Sequence, residues 1–157
     1  MNHPFLTLRI SRRAIGAAQL TNDALTLADG RHLTSRSDRA VVAVANWLEK
    51  LLNVAKPACL VVDSPPRTAG GTTDRIMTSL ETAASGRGIP VLPVAKPELL
   101  SAYGLQSLKS RRELRELARS YWPELTHLTG KVEPYVVDAA AAALYAECRL
   151  ALERISA

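Results

Sequence analysis

Asp63, Asp138 and Arg9 are the residues of this chain whose types and settings could do chemistry. Asp63 closes the apolar run "ACLVV" (58–62) and precedes Ser64-Pro65-Pro66. A short, unbroken apolar run reads as a buried central strand, and open α/β sheets bind ligands outside the C-terminal ends of such strands. Asp138 falls in the first turn of the last helix, ahead of five alanines. Each acid also has a plain structural reading: Asp63 as the start of a turn, and Asp138 as a complement to its helix dipole. Arg9 lies inside the strand-like stretch "LTLRISRRAIGAAQL" (6–20). A guanidinium stays charged and is costly to bury unless paired, so its position asks for a buried acid nearby.

The elements that would have to position these residues can be read along the chain. Residues 4–10 and 13–20 alternate as two paired strands around a turn at Ser11-Arg12-Arg13, and 24–34 reads as a third, with Asp23 and Asp29-Gly30 as turn candidates. Ser37 and Asp38 suit a helix start, and apolar residues at 41, 44, 45, 48, 51 and 52 give a helical period up to Lys56-Pro57. After the strand at 58–62, a Gly-containing loop (67–73) leads to a helix over 74–85. "IPVLPV" (89–94) is then a strand whose two prolines place it at an edge. A helix over 107–122 stops before Pro123, with Leu114, Leu117, Ala118 and Tyr121 as its apolar face. Arg111, Arg115 and Arg119, four residues apart, form a basic stripe on the same helix. A loop (126–134) opens the last helix, 135–154. Three antiparallel strands followed by alternating helix and strand make an α/β chain with parallel additions.

At 157 residues the chain fits a single domain spanning 1–157. A hydrophobic fraction of 47% argues against disorder, and aromatics at 4% leave the core to Ala, Val, Leu and Ile. The net charge of +5 and pI near 9.6 favour a polyanionic partner, mildly. Cys59 and Cys148 have no metal-ligand spacing and read as small buried thiols. Without a signal peptide or an apolar run of membrane length, a cytoplasmic location and no membrane partner are expected.

The order of these features resembles the ribonuclease-H-like superfamily and, within it, the RuvC-type Holliday junction resolvases and their YqgF-like relatives. "RISRRAIG" (9–16) follows the spacing of the family's first hairpin, with Arg9 at the family's aspartate, Ser11 at a glycine and Gly16 at the second-strand glycine. "PACLVVDS" (57–64) resembles the fourth strand, which ends in a carboxylate. "LARSYWPELTHLTGKVEPYVVDAAAAALYA" (117–146) resembles the closing segment with its Asp-Ala helix. The resemblance implies a five-stranded mixed sheet flanked by helices, with Asp63 and Asp138 as metal-binding and catalytic carboxylates. Glu133, just upstream of Asp138, could join them, since Ala141 occupies one offset of the usual companion acid. It also implies two magnesium or manganese ions acting on a phosphodiester.

Arg9 is the departure, a degenerate position where the family carries a metal ligand. About 4 Å from a dication, at an effective dielectric of about 20, it would add roughly 8 kcal/mol of repulsion. Three readings follow. The first is a nucleic-acid-binding protein, branched or duplex DNA favoured, in which cleavage is lost or much reduced. Arg9 there pairs with Asp63, Asp138 or both, and no metal is needed. Its basic candidates are Arg12, Arg13, Arg67, Arg75, Lys96, Lys109, Arg111, Arg112, Arg115 and Arg119. Glu113 and Glu116 could instead absorb much of the helix stripe in local ion pairs. The second is an active Mg- or Mn-dependent endonuclease using Asp63, Asp138 and Glu133, with Arg9 on the phosphate. The third is a non-catalytic interaction module whose Ala- and Leu-rich helices could form a homodimer.

Overall fold

The computed structural model describes residues 5–21, 24–33, 38–102, 111–127 and 130–156. Five strands, β1 (Phe5–Ile10), β2 (Ala14–Thr21), β3 (Ala24–His32), β4 (Cys59–Asp63) and β5 (Val91–Val94), form one sheet in the order β3-β2-β1-β4-β5. The β1–β2 and β2–β3 pairs are antiparallel, and β1–β4 and β4–β5 are parallel. The helices are α1 (Asp38–Ala55), α2 (Thr72–Gly86), α3 (Lys96–Ala102), α4 (Arg111–Tyr121) and α5 (Glu133–Ser156), with a 3-10 turn over Pro123–His127.

Strand alternation sorts the chain into two cores. Leu6, Leu8 and Ile10 of β1 join Leu60 and Val62 of β4 on the face covered by α1 and α2. Val61 of β4 and Ala18 and Leu20 of β2 lie on the other face, with Val137 and the alanines of α5, Leu114 of α4 and Leu99 of α3. Arg9 and Asp63 are neighbours in the parallel β1–β4 register, and Asp63 continues the Val61 side of its strand. The period of two therefore turns both toward α5.

One close contact and a run of small residues seat α5 on the sheet. Gly16, opposite Arg9 in the β1–β2 register, is covered by α5 so tightly that an added Cβ would lie 2.1 Å from the Tyr135 backbone. Ala139, Ala140, Ala141, Ala142 and Ala143 are all buried, so the helix lies against the sheet without long side chains between them. Ser11 closes the first hairpin without a glycine: its hydroxyl donates to the Ala14 carbonyl and accepts from the Arg13 and Ala14 amides.

Several local expectations change. Asp29-Gly30 is not a turn but lies within β3, opposite Ala17 and Gly16. Asp29 is held there by the Gly30 amide and the Trp47 indole N–H. Lys96–Ala102 is a helix that the sequence pattern hid, with Pro97 in its first turn, where a missing amide costs nothing. The last helix starts at Glu133, two residues before 135, and part of the preceding loop is the 3-10 turn. Leu117 and Tyr121 are 42% and 55% exposed, so the buried face of α4 is narrower than its apolar residues suggest. The sheet-facing side is shared between Leu114, Ala118 and the arginines, which rotates Leu117 and Tyr121 outward. Cys59 is half-buried, and that burial pushes its thiol above the ordinary value. The side chain of Cys148 and all of Lys109, Asp23 and Ser37 lie outside the description.

Candidate functional site: a carboxylate cluster closed by arginines

Asp63 and Asp138 converge at the C-terminal end of β4, and both are fully buried. Arg9 lies beside both, with its Nε 3.4 Å from Asp138 Oδ2 and 3.9 Å from Asp63 Oδ2. It also donates to the Ile10 carbonyl. The counter-ion expected of a buried guanidinium is thus in place, but Arg9 contributes the weaker contacts.

The stronger ones come from α4. Arg111 grips Asp63 with both terminal nitrogens, at 2.6 and 2.8 Å. Arg115 grips Asp138 through Nε at 2.8 Å and Nη2 at 2.9 Å. Arg119 takes Glu133 through Nε at 3.0 Å and Nη2 at 2.6 Å. A residue every four positions presents one helix face, so three successive arginines meet three acids from β4 and α5. Two-pronged pairing of this kind is the strong form of the guanidinium–carboxylate contact. The stripe is therefore absorbed by the three acids, while Glu116 pairs with Arg112 on the exposed side. Sequence reasoning found the acids and the arginines but not their pairing. The nearest signal was the four-residue spacing of the arginines, which marks one helix face but does not name the acids it meets.

The electrostatics are uneven. Burial, then the charge of Arg111, pull Arg9 below the ordinary arginine value, and Asp63 and Asp138 only partly restore it. Burial also acts against Arg111, but its hydrogen bond to Asp63 and the two carboxylate charges leave it raised. Arg115 is raised chiefly by its hydrogen bond to Asp138. Around the two aspartates, three guanidiniums face two carboxylates, and Arg9 is the one with least compensation.

The donor set does not fit a pair of divalent cations. All four oxygens of Asp63 and Asp138 already accept from Arg9, Arg111 or Arg115. Glu133 is engaged by Arg119, and the position facing both aspartates carries a cation. Among the described residues, no group of three His, Cys, Asp or Glu side chains is arranged to hold a metal ion.

The remaining basic candidates fall in three groups. Arg12 and Arg13 are exposed at the β1–β2 turn, and Lys96 is exposed at the start of α3. Arg67 bonds Asp74 at 2.7 Å and Glu81 at 2.5 Å, and Arg75 pairs with Asp38. Trp122 is buried in the α4–α5 core and Trp47 is partly buried against β3, so neither is presented as an open stacking platform.

Sheet order, helix placement and the meeting of β1, β4 and α5 at one site define a ribonuclease-H-like fold of the RuvC resolvase type. No protein-family model matches the chain, and no curated protein matches it in sequence. Among solved structures, Thermus thermophilus RuvC is similar over 90% of this chain and 91% of its own, with a TM-score of 0.71 at 14% identity. T. thermophilus RuvC in complex with a Holliday junction substrate gives a TM-score of 0.70, also at 14% identity and covering 91% of each chain. The yeast mitochondrial Holliday junction resolvase Ydc2 gives 0.57 at 12% identity, over 88% of this chain and 75% of that one. At such identities the likeness shows the fold. Among the described residues, no helix is long and apolar enough to cross a membrane.

Proposed function

We propose that this protein is a nucleic-acid-binding member of the RuvC-like fold in which junction cleavage is lost or much reduced and no resident magnesium or manganese is used. The observation that carries the reading is the closure of Asp63 and Asp138 by Arg9, Arg111 and Arg115. A carboxylate gripped by two guanidinium nitrogens is a poor ligand for a hard cation. Removing those arginines would also leave buried charge uncompensated. Nucleic acid as the partner is supported by the net charge of +5 and by a fold shared with a resolvase solved on its junction. The exposed candidates for phosphate contact are Arg12, Arg13 and Lys96, with Arg67, Arg75 and Arg112 paired to acids.

The test is a binding and cleavage assay on four-way junction, duplex and single-stranded DNA, and on RNA. Binding is expected at low salt, weakening steeply as salt rises because phosphate contacts release counterions. Arg12→Gln with Arg13→Gln should weaken it for all sequences alike. Cleavage is expected to stay at background with magnesium or manganese. Metal-dependent nicking that Asp63→Asn abolishes would overturn the loss of cleavage and leave an endonuclease. Failure to bind any of these substrates at low salt would leave an interaction module, with a dimer as the first form to look for.

A further inference from the structure

We infer that the cleft beside the arginine cluster is a phosphomonoester site, which accepts the terminal phosphate of a nucleic-acid strand. This rests on the nucleic-acid reading above and narrows it to one part of the ligand. The cleft has a volume of about 650 Å³ and opens at the C-terminal ends of β4 and β5, where open α/β sheets place ligands. Arg9, Arg111 and Lys96 line it, together with Ser64, Pro66 and Pro97.

Charge selects the ligand. Three guanidiniums against two buried carboxylates leave one positive charge in the cluster. The surplus belongs to Arg9, whose contacts to the two carboxylates are the longest of the three arginines' main pairings. Lys96 adds a second cation, and no ion pair joins it to any described residue. The other charged residues at the rim are already committed: Arg67 to Asp74 and Glu81, and Glu98 to Arg149. Among the residues lining the cleft, Arg9 and Lys96 are the two cations without a full carboxylate partner, and two such cations suit a dianion. A phosphomonoester carries about −1.5 to −2 at neutral pH, whereas an internal phosphodiester carries one negative charge. The volume lies within the range of small-molecule sites, so it suits one nucleotide. Ser64 also lines the cleft, and a serine hydroxyl is a neutral donor of the kind that phosphate oxygens accept.

Fluorescence anisotropy on the full chain would compare a short single strand bearing a 5′-phosphate, a 3′-phosphate or only hydroxyl ends. Deoxyadenosine 5′-monophosphate serves as the free-nucleotide probe. One terminal phosphate is expected to tighten binding about tenfold, in line with one additional charge-assisted contact. Lys96→Gln, an exposed change that leaves the fold untouched, should erase that gain. Arg9→Met should do the same, and Lys50→Gln on α1 should not. Equal affinity for all three strands would overturn the site while leaving nucleic-acid binding in place. Binding of the mononucleotide alone, lost in Lys96→Gln, would overturn a strand terminus as the ligand and leave a free nucleotide in its place. Silence from every probe would overturn the site, and binding of a four-way junction or duplex would then still stand for the nucleic-acid reading.

Discussion

At the scale of single residues, the instructive contrast is between the aspartates and the arginine beside them. Asp138 is fully buried and accepts from two guanidiniums. Asp138→Asn should leave those cations uncompensated and cost about 3 kcal/mol, at the low end for a broken buried pair because Arg115 keeps some solvent. Arg9→Met should be close to neutral or stabilising, since it removes the surplus charge and leaves two arginines facing two acids. Urea unfolding of both variants checks the pair of expectations. A loss with Arg9→Met as large as that with Asp138→Asn would show that Arg9 is a full structural counter-ion. Much of this was legible in the sequence. A charge inside an apolar strand demanded an acid, and the two aspartates at strand-end and helix-start positions were the candidates. What could not be read was competition: Arg111 and Arg115 reach the same carboxylates from a separate helix, and no local pattern encodes that.

At the scale of elements, strand alternation and helical period located β1, β2, β4, α1, α2 and α5, because each has a buried face written in its own residues. α3 was hidden because seven residues give too short a period, and its proline looked like a breaker. β3 was found, but its Asp29-Gly30 pair mimicked a turn while serving a close approach instead. An added Cβ at Gly30 would lie 2.9 Å from the Val132 Cβ. The sharper case is Gly16. Gly16→Ala should destabilise the protein by about 1–3 kcal/mol, the usual cost of overpacking, by lifting the first turns of α5 off β2. Thermal unfolding measures it, and an unchanged midpoint would mean that α5 can shift at no cost. A second element-level expectation concerns acid. The hydrogen bond from Arg67 holds the Asp74 carboxyl below its ordinary value, and the bond from Arg87 does the same for Glu49. A lowered folded-state value means that each contribution is present above the unfolded carboxylate value and lost as pH falls through the folded one. Both pairs are exposed, so Arg67→Gln should only slightly reduce stability at neutral pH and should flatten its decline below about pH 4. A pH series of urea midpoints tests this.

At the scale of the whole molecule, the RuvC-like fold brings a strand end, a strand middle and a helix start to one site, where Asp63 and Asp138 meet the guanidinium of Arg9. Magnesium should therefore leave the thermal midpoint of the wild type unchanged, because nothing that binds the folded state means no mass-action shift. The triple change Arg9→Asp, Arg111→Gln, Arg115→Gln should create a magnesium-dependent rise, readable by thermal shift without any activity. Failure to gain one in a folded triple variant would mean that the site geometry, and not only its charge, is unsuited to the metal. The arginine ladder has one more consequence. α4 buries only Leu114 and Ala118 among its described residues, so the attachment of its middle turns is largely ionic. α5 is held instead by a run of buried alanines and valines. The two helices should part company in hydrogen exchange: amides of α4 should open more often as ionic strength rises, whereas those of α5 should be indifferent to it or better protected. Salt would then tune, in one small protein, how often two sequestered carboxylates meet water.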